Sequence, residues 1–516
     1  MSAARTVPPP DAAAPETPTA DSTAGQALDT LLARGPWTGQ GRVQTPRGTL
    51  DYRSTVEFLP VTDDRLGSTG APPLAAVMCT AYEVTPAASA PAAADGSGLA
   101  PAPRPVCFAF NGGPGSASIW LQLGALGPKR VVIRDDGYAP APPYAVQDNP
   151  LTWLSHFDLV FLDPPHTGWA LARDDEARKK VLSVDGDVAA LTGVIRQWLT
   201  RHRRWNSAVY LAGESYGTTR GAALADSLQA AGVALSGLIL VSCAMDLQTL
   251  RFTPANDLPF ALFLPAMANT SQFHGLLKGS VGASSQAARE AAERFVEEDY
   301  LSALHLGGRL SSARFRRIAK RLSELTGLSA PLIEQHNLRI TEQLYFFEAM
   351  RTQGRIIGRL ESRVTGPMGA NRSRAWEFDP GIDAISGPYS MAGQAYFGQA
   401  LGIDLQASYK VINGEVNKGW NWNRGEAQGN HFCSTTADLS RAMRRNPHLK
   451  LLVASGRYDL GTPYSATDWS LAQLDIPADV RQRITHRYYD AGHMMYTREA
   501  DLKALERDLT EWLSSD

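Results

Sequence analysis

Apolar and polar side chains alternate with a period of two in "TLDYRSTVEFLPV" and "PLAAVMCTAYEV", between about Thr49 and Val84. That period predicts antiparallel strands opening a sheet. Further on, the alternation gives way to segments expected as buried strands: "PVCFAF", "FDLVFLD", "AVYLA", "GLILVSC", "LKLLVAS" and "THRYYDAG". These read as strands buried on both faces. Helical spacing separates several of them, as in "DVAALTGVIRQWLTRH" after Val184. Strand–helix alternation predicts an α/β fold with a mostly parallel central sheet flanked by helices. The rhythm stops between Leu247 and Asp438, where "SARFRRIAKRLSELTG" and "ITEQLYFFEAMRTQGRIIGRL" carry helical patterns. A large, mainly helical inserted cap is expected there. The expected division is a disordered lead over 1–35, a first core part over 36–247, the cap over 248–438 and a second core part over 439–516.

Composition narrows the picture. The chain has 516 residues, 44% hydrophobic and 20% charged, with net charge −2. A near-neutral balance gives no reason to expect nucleic acid or an anionic membrane as partner. No apolar run reaches the roughly 18 residues of a membrane span. The lead "MSAARTVPPPDAAAPETPTADSTAG" lacks the basic start and apolar block of a secretory signal, so a cytoplasmic location is expected. A second low-complexity patch, Pro86 to Pro105, reads as a surface loop. Cys79, Cys107, Cys243 and Cys433 are scattered without a C-x-x-C pair, and are expected as buried free thiols. Nothing in the sequence points to a metal site or a cofactor. The Arg-rich stretch after Ser312 reads as a solvated helix face. "GWNWNRG", Gly419 to Gly425, is open to two readings: pocket lining, or an aromatic cluster packed inside the cap.

Candidate chemistry begins in "VYLAGESYGTTRGAALADSL". A short strand ends at Ala212, a helical pattern begins after Tyr216, and Gly213-Glu214-Ser215-Tyr216-Gly217 lies between them. A serine at a sharp strand-to-helix corner presents its hydroxyl at a helix N-terminus, and small neighbours let the corner clear adjacent strands. A serine hydroxyl needs a base, and the base needs a carboxylate to orient it. Of ten histidines, only His493 in "YYDAGHMMY" follows a strand and sits in a Gly-bearing turn. Asp459 in "SGRYDLGTP" lies just past another buried strand; Asp490 is a competitor better placed for a local turn. Catalytic groups at carboxyl ends of strands suit an open α/β sheet. The order Ser215, Asp459, His493 is that of the α/β-hydrolase triad. In "CFAFNGGPGSAS", the amide of Gly113 is a candidate oxyanion donor together with that of Tyr216.

Together, "FNGGPGSAS", "NPLTW…DLVFLDPPHTGWA", "YLAGESYG", "SGRYDLGTP" and "DAGHMMY" resemble the successive motifs of the serine carboxypeptidase family, from Asn111 to Tyr496. The resemblance implies an α/β-hydrolase fold and a peptide substrate. It implies Ser215 as nucleophile, His493 as base, Asp459 as its orienter, and Gly113 and Tyr216 as oxyanion donors. Asn111, Gly112 and Glu214 are then substrate contacts, with Asn111 and Glu214 at the terminal carboxylate. Three departures stand out. Ala109 replaces a tryptophan, and Ser116 replaces a disulfide-forming cysteine. Ala125 in "ALGP" replaces the second glutamate that shares a proton with the first. Without it, Glu214 is expected to be charged at neutral pH unless burial keeps it protonated. Lys129 or Arg130 could then hold a carboxylate instead. An esterase, amidase or acyltransferase on the same scaffold is the alternative, and a non-catalytic binding protein a more distant one.

Overall fold

Nine strands make one sheet in the order Trp37–Thr45, Gly48–Val61, Ala75–Val84, Asp158–Asp163, Val106–Phe110, Val209–Glu214, Leu235–Val241, Lys450–Gly456 and Ile484–Tyr489. The first three are antiparallel; the period of two predicts the second and third but not Trp37–Thr45, and Ala75–Val84 meets Asp158–Asp163 antiparallel as well. The last six run parallel. The structure, a computed structural model, describes residues 20–63, 71–86, 103–425 and 432–515. Most of the patch Pro86 to Pro105 lies outside them.

The central strands are apolar on both sides because both faces are covered. Val106, Phe108 and Phe110 enter one core layer with the helices Val184–Arg201 and Tyr216–Ala230. Cys107 and Ala109 enter the opposite layer with Leu502, Leu505 and Leu509 of the helix Glu499–Ser514. All four cysteines are buried and unpaired.

The expected disorder of 1–35 is corrected from Ala20 onward. Ala20–Ala33 is a helix, and its Leu28 and Leu31 are buried in the layer that holds Val56 and Phe58. An apolar pair three residues apart on a helix has a face to bury, and Arg173 pairs with Asp29 at 2.6 Å alongside.

Between Val241 and Lys450 the chain is mostly helical, but it does not form one body. Phe263, Met267, Ile318, Leu322 and Tyr345 build a separate core that also takes in Leu460 and Tyr464 beyond the sheet. The helix Pro380–Gln399 instead sends Tyr389 and Phe397 into a main layer beside Ile119 and Trp120. The helical reading of "ITEQLYFFEAMRTQGRIIGRL" holds only for Glu342–Glu348. Gly354 turns left-handed at φ 67°, and Arg355–Ile357 pairs with Thr365–Pro367 as a small ribbon. The Arg-rich helix Ser312–Thr326 is a solvated face, with Arg317 bridged to Asp299 and Arg321 to Glu324. No helix among the described residues is long and apolar enough to cross a membrane.

Candidate active site

Ser215 stands between the strand Val209–Glu214 and the helix Tyr216–Ala230 at φ 60°, ψ −128°. A non-glycine residue held at such angles is strained and persists only where its surroundings fix it. Here the Ser215 N–H donates to the Val241 carbonyl at 3.0 Å on the neighbouring strand. A side chain at Gly213 would meet the Gly217 carbonyl at 2.2 Å. The small neighbours are therefore a condition of the corner.

His493 and Asp459 are joined by a hydrogen bond of 2.7 Å from Nδ1 to Oδ2 in full burial. Asp490 is turned away onto Arg457. Burial pushes the Asp459 carboxyl up, but the charge and hydrogen bond of His493 and the contacts of Thr462 outweigh it, so the group is held below its usual range. Gly461 and Thr462 amides supply two of those contacts, at 2.7 and 3.0 Å, and the Thr462 hydroxyl a third at 2.7 Å. An ionised carboxylate only accepts, so Nδ1 carries the proton and Nε2 is the basic nitrogen. Burial lowers the His493 imidazole, yet the charge of Asp459 prevails and raises it overall. Thr462 was not singled out from the sequence. It sits three residues after Asp459 in a loop whose contacts are set by folding.

Ser215, His493, Glu214, Asn111, Gly112 and Gly113 line one cavity of about 410 Å³. No hydrogen bond joins Ser215 Oγ to the imidazole among the described residues. In unliganded sites such contacts are often long and tighten with substrate. The amides of Gly113 and Tyr216 donate to no protein acceptor among the described residues, and both residues border the space around Ser215. Gly113 has φ 101°, and its carbonyl is held by Asn417 Nδ2 at 3.2 Å. Gly112 is pressed against the corner: a Cβ there would lie 2.4 Å from the Tyr216 nitrogen. The sequence-expected residues are thus brought together, at the carboxyl ends of the parallel strands.

Glu214 is buried, and burial pushes its carboxyl up to about 7, against the lowering effects of His493, Tyr496 and Asn111. The Tyr496 hydroxyl donates to Oε2 at 2.6 Å. Burial therefore does part of the work expected of a second carboxyl: of the two outcomes expected for Glu214, charged at neutral pH or kept protonated by burial, the raised carboxyl favours the second. Ala125 is buried, and its carbonyl accepts from Asn149 at 2.7 Å. One residue earlier, the space a Gly124 side chain would need is filled by Tyr389 and Tyr496. Lys129 pairs with Asp148, and Arg130 is buried; the cations that line the cavity are Arg359 and Lys418 of the insertion. Of "GWNWNRG", Trp420 packs on Tyr216 with ring centroids 5.2 Å apart, while Trp422 lines space beside Ser215. Trp422 fits the pocket-lining reading, whereas the reading of a cluster packed inside the cap is corrected: Trp420 is buried in the main core layer with Tyr216. Among the described residues no group of acidic, histidine or cysteine side chains is arranged to hold a metal.

Residues 96–240 match the family model described as serine carboxypeptidase. A comparison with curated protein sequences gives no significant match. Among solved structures, a prohormone-processing carboxypeptidase from Saccharomyces cerevisiae aligns at 14% identity over 89% of this chain and 91% of its own, with TM-score 0.55. A peroxisomal α/β-hydrolase from the same yeast aligns at 8% identity over 90% of each chain, TM-score 0.36. A proline iminopeptidase from Mycobacterium smegmatis aligns at 11% identity over 92% of this chain and all of its own, TM-score 0.32. Residues 96–240 thus match the serine carboxypeptidase family, and the shared sheet architecture gives the chain an α/β-hydrolase fold.

Proposed function

We propose that the chain cleaves peptides, most simply at their C-terminal residue, through an acyl-enzyme on Ser215. The observation that carries this is the buried 2.7 Å bond between His493 and Asp459, beside a strained serine in the same cavity. Ser215 Oγ attacks the scissile carbonyl as His493 Nε2 takes its proton. The amides of Gly113 and Tyr216 receive the developing oxyanion. His493 then gives the proton to the departing amine, and water repeats the sequence on the ester. Asn111 and Glu214 receive the terminal carboxylate, with neutral Glu214 as the donor.

The state of Glu214 supports a second reading. Its carboxyl, pushed up to about 7 by burial, can still ionise as pH rises past neutral, which weakens a preference for free carboxylates and favours amides or esters. A fluorophosphonate probe should label the protein, and Ser215→Ala should abolish both labelling and turnover. His493→Ala should behave nearly the same, and Asp459→Asn should lose on the order of 10⁴-fold in turnover. Labelling of another serine in Ser215→Ala would overturn the assignment. A matched free-acid peptide, its amide and an ester separate exopeptidase from esterase or amidase.

A further inference from the structure

Two chambers meet at Ser215. The one already described, of about 410 Å³, holds His493, Glu214 and Asn111. The other, of about 290 Å³, lies on the Tyr216 side and is walled by the insertion through Leu250, Arg251, Glu342, Arg359 and Trp422. Ser215 and Gly113 border both, so a carbonyl held at the oxyanion position would have one substituent in each.

The chemistry assigns the chambers. The group that protonates the leaving amine or alcohol must reach it, and His493 lines only the first chamber. The leaving group therefore departs there, and the acyl group fills the second.

Charge in the second chamber is unbalanced. The Arg251 guanidinium lies over the Trp422 ring, 5.4 Å from its centroid, and makes no salt bridge within 4 Å among the described residues, though it acts on Glu342 at longer range. An arginine held by an aromatic face keeps its in-plane donors open. Arg359, which reaches the chamber as well, is 3.8 Å from Asp379, too long for a hydrogen bond. The third ionisable group lining the space is Glu342, at the start of the helix Glu342–Glu348. Burial pushes its carboxyl up, while amides of its own helix and the two arginines pull it down. Among the lining groups alone, one net positive charge remains with Glu342 ionised and two with it neutral, Asp379 outside the lining offsetting that of Arg359.

We infer that the second chamber selects acyl groups bearing a carboxylate, such as a glutamyl residue before the scissile bond, with Arg251 as the principal contact and Arg359 beside it. This rests on the proposed acyl-enzyme at Ser215. Apolar Leu250 and Leu460 line the chamber too, and fit the methylenes of such a side chain.

The test uses p-nitrophenyl esters of N-blocked Glu, Gln and Lys. Their leaving group is constant, so ratios of kcat/KM read the acyl side alone. The Glu ester should exceed the Gln ester on the order of tenfold, as for one charged hydrogen bond, with Lys poorest. Added salt should shrink the ratio. Arg251→Gln should bring the Glu/Gln ratio near one, and Glu342→Gln should raise it. Equal rates, a Lys preference, or no turnover of any ester by protein that the fluorophosphonate probe labels would overturn the inference. Absence of probe labelling would instead remove the acyl-enzyme reading on which it rests.

Discussion

The backbone N–H of His493 donates to the carbonyl of Leu360 at 2.7 Å, so the insertion holds the histidine of the site directly. Neighbouring residues extend the grip. The Leu460 amide donates to Arg359 and the Ser362 amide to Tyr458, at 2.9 and 3.1 Å, and the Gly492 amide donates to Glu361 Oε2 at 2.9 Å. One four-residue stretch thus laces the Asp459 loop to the His493 loop.

Glu361 is accordingly a positioning residue. Glu361→Ala should lower kcat on the order of tenfold with little change in KM, because small misplacement of a base slows chemistry more than binding. Glu361→Gln, which keeps an acceptor for Gly492, should recover most of the loss. A lower melting temperature with unchanged kcat would mean that the lacing serves stability alone.

Glu214 sets a pH dependence. Its neutral form can donate to a substrate carboxylate and prevails below about 7, so KM for a free-acid peptide should fall as pH drops through that value, while KM for the amide stays flat. Parallel profiles for acid and amide would contradict this role.

The same group affects stability with a defined sign. Its folded value is raised, so the stability it contributes is fully present below its ordinary 4.5 and is lost as pH rises through about 7. Glu214→Gln removes the buried charge and leaves an acceptor for Tyr496. It should stabilise the protein at pH 8 by at most roughly 3 kcal/mol, with the difference vanishing below pH 5. Denaturant titration at both pH values checks this.

Gly112→Ala should cost activity without unfolding the protein. The added Cβ would meet the Tyr216 and Gly217 nitrogens at 2.4 and 2.7 Å, and backbone atoms cannot rotate away. Displacing the Tyr216 amide should reduce kcat by about 10²- to 10³-fold, as loss of an oxyanion donor does. Unchanged probe-labelling kinetics would argue that Tyr216 is not a donor.

Arg220 anchors the whole corner from below. It is buried, bonds Asp187 at 2.7 Å, and donates to the Asn111 carbonyl at 2.6 Å, tying the oxyanion loop to the helix after Ser215. Arg220→Met strands the Asp187 carboxylate and should destabilise by roughly 3–5 kcal/mol. Asp187→Leu added to it should recover part of that loss in a double-mutant cycle.

The sequence by itself determined what depends on neighbours along the chain. Strand, corner and helix around Ser215 follow from a change of period and from glycines that must clear adjacent backbone. Asp459 and His493 could be picked out because each follows a strand in a turn, and parallel strands deliver such turns to one edge. Even Ala125 was informative, as a missing carboxyl. What the local pattern could not carry was the consequence of that absence. The protonation of Glu214 is set by desolvation and by Tyr496, 282 residues away, and distant packing leaves no period to read. The lead hid a helix for a related reason: Leu28 and Leu31 gain a partner only when the sheet forms beneath them. Arg359 and Leu360 of the lacing stretch read as the end of a helix, because nothing local reveals that their carbonyls meet Leu460 and His493. Tertiary structure decided these features, since burial and long-range hydrogen bonds exist only once the chain has folded.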